Sequence, residues 1–184
     1  MRIRSFVLIL LTFLAVAPAA AAPRRPPARG PAFEAGFLFN LTDFEDEALL
    51  DEDMGFSPRF GILVDPHHEI EFLISHVQTN DIIVPAIEVD IEYFQVAYVY
   101  NFTRRDLVPY FTAGVGWIES DAGFVGSEDN PVFSLGGGIK LFLGKVAHLR
   151  FELRQNFFEG EGVVFGWQED VSMLELGFGL GWRF

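Results

Sequence analysis

From about residue 33 onward the chain repeats one pattern. Segments of roughly ten residues alternate apolar side chains with small or polar ones. The last is the cleanest: Leu174, Leu176, Phe178, Leu180, Trp182 and Phe184 alternate with Glu175, Gly177, Gly179, Gly181 and Arg183. A period of two belongs to a strand whose two faces meet different surroundings. Eight such segments can be drawn: Pro31–Leu41, Gly55–Val64, Glu69–Gln78, Val89–Phe102, Val108–Ile118, Val132–Leu143, Ala147–Phe157 and Met173–Phe184. Any fold for this chain must give all eight the same pair of environments.

The connections alternate in length. Asp65–His68, Thr103–Leu107 and Gly144–Val146 are short, whereas Thr42–Met54, Thr79–Glu88, Glu119–Asn130 and Glu159–Asp170 are longer. Short turns on one side and long loops on the other mark a transmembrane barrel of antiparallel strands. The expected fold is therefore all-β: an eight-stranded antiparallel up-and-down transmembrane β-barrel over residues 32–184, with both termini on the short-turn, periplasmic side. A soluble sandwich or lipocalin, apolar face inward, would show the same alternation. Against it, the apolar face is unusually aromatic and the other face is rich in glycine, which suits a narrow, crowded interior.

Composition narrows the functions. Half the residues are hydrophobic, with 21 Phe and 18 Gly, yet the formal net charge is −13. So acidic a chain repels nucleic-acid phosphates, which sets DNA and RNA aside. There is no cysteine, hence no disulfide and no thiolate metal site. No segment after the N-terminus is long and apolar enough for a membrane helix. Arg2 and Arg4, the apolar run Phe6–Val16 and the small residues Ala15–Ala22 read as a signal peptide over 1–21, with Ala19-Ala20-Ala21 as its recognition triplet. Residues 22–31 then read as a disordered Pro/Arg-rich leader.

The C-terminal LELGFGLGWRF looks like the signal by which outer-membrane barrels are recognised for insertion, and VPYFTAGVGW and SLGGGIKLFL look like their small-residue strands. From about Phe33 to Phe184 the chain resembles the small outer-membrane barrels of the OmpA transmembrane-domain and OmpX type. The resemblance implies an outer-membrane location, contact with lipid and lipopolysaccharide, and recognition by the insertion machinery through Phe178, Leu180, Trp182 and Phe184. The peptidoglycan-binding domain of long OmpA proteins has no counterpart, so cell-wall anchoring is not implied.

With the apolar face toward lipid, Glu34, Glu71, Glu152 and Glu175 share the inner face with Arg59, Lys140, Arg150, Arg154 and Arg183. Unpaired charge in a narrow lumen costs several kcal/mol, so a ladder of ion pairs is expected, with Arg154–Glu175 and Glu34–Arg183 as cross-strand partners. Such a ladder plugs the barrel. The alternative is a narrow pore for ions or small solutes lined by the same residues, since Gly and Ser on that face leave gaps.

The long connections carry most of the negative charge. The first has Asp43, Glu45, Asp46, Glu47, Asp51, Glu52 and Asp53; the others have Asp81 and Glu88, then Glu119, Asp121, Glu128 and Asp129, then Glu159, Glu161, Glu169 and Asp170. Loop solvation explains them simply. A rim that binds divalent cations, bridging to anionic lipopolysaccharide, is the sharper reading, although no loop has the EF-hand order of ligands.

An enzyme is not expected, and no cofactor is implied. Barrel enzymes that act on lipids would need His, Ser and an acid together. His67 and His68 fall in a short turn, and His148 lies about 13 Å along its strand from Glu152. Ser75 and His76 leave opposite faces of one strand. The functional expectation is a non-enzymatic barrel serving envelope integrity or surface interaction, with the narrow porin as alternative and a lipid-modifying enzyme behind both.

Overall fold

The computed structural model describes residues 32–44, 53–80, 88–103, 106–121, 127–162 and 166–184. The expected signal peptide and leader, and Glu45, Asp46, Glu47, Asp51 and Glu52 of the first loop, lie outside them. Eight strands follow one another: β1 (Ala32–Phe44), β2 (Asp53–Leu63), β3 (His68–Asn80), β4 (Glu88–Asn101), β5 (Leu107–Asp121), β6 (Ser127–Leu143), β7 (Ala147–Gly162) and β8 (Gly166–Arg183). Each pairs antiparallel with its sequence neighbours, and β1 pairs with β8, so the sheet closes into a barrel. At the seam the Phe33 amide donates to the Phe184 carbonyl at 3.1 Å, and the Phe184 amide returns a bond to Phe33 at 2.8 Å.

The faces are inverted relative to a soluble barrel. Phe39 is 46% exposed and Trp117 68% exposed on the outer wall, while Glu71 (1%) and Lys140 (0%) are buried in the lumen. This arrangement is stable only where the outer wall meets hydrocarbon. Glycine admits the close packing inside. A Cβ on Gly138 would fall against the Phe151 carbonyl and 2.7 Å from the Tyr110 hydroxyl. In the β6–β7 turn, Gly144 has φ of +91°, a conformation that side chains disfavour.

The β2–β3 turn is held by Asp65, whose Oδ1 accepts the His67 amide at 2.7 Å and the His68 amide at 3.1 Å. These bonds, the His67 amide foremost, favour the ionised carboxylate and lower its pKa.

The last four strands run furthest beyond what the alternation indicates. Much of the expected loops Glu119–Asn130 and Glu159–Asp170 is strand, paired through Glu119↔Asp129, Asp121↔Ser127 and Glu159↔Asp170, with an irregularity between Gly160 and Gly162. The reason is physical: beyond the hydrocarbon both faces of a strand are wetted, so the apolar rhythm stops while the backbone ladder continues. A tilted strand crosses a bilayer in about 9–11 residues, whereas β6, β7 and β8 have 17, 16 and 18. A surplus of about six residues carries them roughly 20 Å further, at the long-loop end.

Candidate functional site

The lumen holds the densest chemistry. Its centre is Glu152 on β7. Arg59 Nη1 lies 2.9 Å from Glu152 Oε1, Arg150 Nη2 2.7 Å from Oε2, and Arg154 Nε 3.0 Å from Oε1. The Tyr110 hydroxyl donates to the same carboxylate at 2.6 Å. Glu71 lies beside it, taking Arg59 Nη1 at 3.0 Å and a two-pronged contact from Arg150. The Arg150 guanidinium also lies 4.7 Å over the Tyr110 ring. Charged donors sharing carboxylates in this way make the stronger class of hydrogen bond.

A second group lies nearer the short turns. Lys140 Nζ contacts Glu34 Oε2 and Glu69 Oε2, both at 2.7 Å, and is fully buried. Glu34 is register partner to Arg183 and is also ion-paired to it. Arg183 lies 4.6 Å over the Phe142 ring. His148 packs 4.7 Å from Phe142, with Nε2 4.0 Å from Glu34.

The other expected pair does not form. Arg154 and Glu175 are register partners on β7 and β8, but their side chains part. Arg154 leans toward Glu152 and gives Nη1 to Gln95 at 2.7 Å. Glu175 is met by neutral donors: the Tyr93 hydroxyl at 2.5 Å, Asn156 at 3.1 Å and Asn40 at 3.4 Å. The cause is reach, because Tyr93 spans the lumen from β4 and occupies the carboxylate.

Sequence reasoning missed Glu69, Tyr93 and Tyr110. All three fall on the inward parity of their strands, a signal sufficient for the charged Glu69 but not for the two aromatic residues. Including Glu69, five carboxylates (Glu34, Glu69, Glu71, Glu152, Glu175) share the lumen with five cations (Arg59, Lys140, Arg150, Arg154, Arg183), so its formal charge balances among the described residues.

Apolar side chains close both ends of this network. Toward the long loops, β3 to β8 each turn one inward: Val77, Ile91, Ile118, Val132, Phe158 and Met173, all 4% exposed or less. Toward the short turns stand Ala32, Leu63, Val99, Val108 and Phe142, also buried. A lumenal cavity bounded in part by Glu34, Arg59, Glu71, His148 and Arg150 measures only about 10 Å³, the scale of a single water.

The remaining expected groups are dispersed. Asp43 is half-buried on β1, and Asp53 begins β2. Among the described residues no cluster of three or more His, Asp or Glu could hold a metal ion. His76 pairs with Glu92 at 3.1 Å on the outer wall, but Ser75 points inward and donates no contact to it, sitting 2.8 Å from Ser57. His68 Nδ1 meets the Tyr98 hydroxyl at 2.5 Å near the short-turn end. Phe178, Leu180 and Trp182 lie on the outer wall of β8, and Phe184 follows at the seam.

Solved structures share this architecture. Neisserial surface protein A is 17% identical over 87% of this chain and all of that one, with a TM-score of 0.58. OprG from Pseudomonas aeruginosa is 11% identical over 84% of this chain and 96% of its own, also at 0.58. The N-terminal β-barrel domain of OprF from the same organism is 13% identical over 82% and 97%, at 0.54. At such identities the likeness is one of fold. No curated protein sequence matches. The outer membrane protein beta-barrel domain family matches residues 6–184. With nearly the whole chain matched and a closed barrel whose apolar wall faces outward, this protein belongs to the outer membrane protein beta-barrel domain family.

Proposed function

We propose that this protein is a plugged, non-enzymatic outer-membrane barrel that supports envelope integrity or surface interaction, its long-loop end outside and both termini in the periplasm. The observation that carries the reading is the charge-balanced network enclosed between two apolar layers. An ion crossing the lumen would have to displace buried ion pairs and then pass side chains that exclude water. The lipid-modifying alternative finds no support, since Ser75 and His76 face opposite ways.

Single-channel recording of the refolded protein tests it. The wild type is expected to be silent. Arg154→Ala is expected to be silent too, though less stable, because both apolar layers remain. Steady ion-selective openings in the wild type would make the protein a narrow porin and overturn the plug.

The partners follow from the same reading. Lipid and lipopolysaccharide surround the apolar wall, and the insertion machinery engages β8 through Phe178, Leu180, Trp182 and Phe184. The acidic first loop, with Asp43 and Asp53 on the strands that flank it, is proposed as a divalent-cation rim that bridges to lipopolysaccharide phosphates. Calcium is then expected to raise the melting temperature of the refolded barrel, and Asp43→Asn with Asp53→Asn to reduce that rise. No calcium effect would remove the rim from the proposal.

A further inference from the structure

The outer wall is not uniform. Between β5 and β7, toward the long-loop end, lies a recess of about 700 Å³ bordered by Val115, Trp117, Pro131, Phe133, Phe157 and Glu159. Trp117 is the most exposed of its aromatic residues, at 68%. The Phe133 and Phe157 rings stack with centroids 6.3 Å apart. A recess of this size lies in the range that holds small ligands, and it is continuous with the lipid-facing wall.

What sets it apart is its charged border. Two residues beyond Trp117 on the same face of β5 is Glu119, and its register partner on β6 is Asp129. Glu159 extends the border on β7. On the other side Glu119 faces Glu92 across β4–β5. Like charges directly opposed across a ladder destabilise it. Glu92 is met by His76 at 3.1 Å, but no lysine or arginine among the described residues pairs with Glu119, Asp129 or Glu159: Arg59, Lys140, Arg150, Arg154 and Arg183 are committed to the lumen, and Lys145 lies in the β6–β7 turn.

We infer that this recess is a binding seat for a single-chain amphiphile with a cationic ammonium head. The aliphatic tail lies along Val115, Phe133 and Phe157, and the head sits among Glu119, Asp129 and Glu159 near the Trp117 ring. Charge complementarity selects this occupant. A neutral lipid tail would fill the recess but leave the carboxylates opposed, and an anionic head would add repulsion. An ammonium group relieves the repulsion and gains a cation–π contact with Trp117.

The test uses the refolded protein in phosphatidylcholine nanodiscs, followed by NMR on the Trp117 indole and the Phe133 amide. Dodecyltrimethylammonium is the probe, with dodecyl sulfate and dodecyl maltoside as controls of equal tail length. The expected result is a saturable shift confined to β5–β7 for the ammonium probe alone. Replacing Glu119→Gln, Asp129→Asn and Glu159→Gln together, all exposed and distant from the lumenal network, is expected to weaken binding about tenfold. Val115→Phe, which narrows the recess and keeps every carboxylate, is also expected to weaken it. Equal shifts from dodecyl sulfate, an unsaturable response along the whole wall, or full affinity in the triple variant would each overturn the inference.

Discussion

Glu152→Gln is expected to lower the free energy of unfolding by about 3–5 kcal/mol, the cost of breaking a buried ion pair from one side. The glutamine has nearly the same shape, so the loss is one of charge. Arg59, Arg150 and Arg154 all lie against this carboxylate, and Tyr110 donates to it. In the variant three guanidinium groups would share Glu71, and the new amide would present donors to donors. Urea unfolding of the refolded protein from phospholipid vesicles measures the change. A loss under about 1 kcal/mol would mean that water enters the lumen and solvates the arginines, contrary to the enclosed network.

Lys140→Met is expected to cost a similar amount, about 3–5 kcal/mol, and to be largely reversed by a second change. Lys140 neutralises Glu34 and Glu69 together. When it is removed, Glu34 still has Arg183, whereas among the described residues Glu69 keeps only the Asn101 amide, at 3.3 Å. Glu69 is therefore the carboxylate left uncompensated. Adding Glu69→Gln to Lys140→Met is expected to restore most of the stability, because removing both members of a buried pair leaves no lone charge. Adding Glu34→Gln instead strands Arg183 and is not expected to rescue. A double-mutant cycle reads the difference directly. Equal rescue by either glutamine would contradict the division of partners seen here.

Much of the architecture was legible because parity in a strand is absolute. In β8 every second residue from Leu174 to Phe184 is apolar, and that rhythm fixes which face meets lipid. The same parity put Glu34 and Arg183 on one face. It could not supply depth or reach. Tyr93 and Tyr110 have inward parity but resemble the aromatic residues of the wall, and only the closed barrel shows each spanning the lumen to a carboxylate. Arg154 and Glu175 share a register, yet a long side chain chooses among partners above, below and across. The apolar layer of Val77, Ile91, Ile118, Val132, Phe158 and Met173 was hidden for a related reason. Hydrophobic residues at inward positions break the alternation, so Ile118 and Phe158 read as the margins of loops. Backbone pairing beyond the membrane, as in Glu119↔Asp129, has no hydrophobic signature at all.

The seam between β1 and β8 has a consequence for the order of events during assembly. The other strand pairs are hairpins joined by short or moderate connections, which can zip locally. Closing the seam instead joins residues such as Glu34 and Arg183, 149 positions apart in sequence, and Lys140 meets Glu34 across 106. Contacts so distant carry the largest loop-closure entropy and come late. Until they form, half-made sheets hold carboxylates and guanidinium groups that hydrocarbon would reject. Water must therefore accompany the inner face through insertion and leave only at closure. The ion pairs across the seam then act as a final latch, and an open sheet that failed to reach it would be a substrate for degradation rather than a partly working barrel.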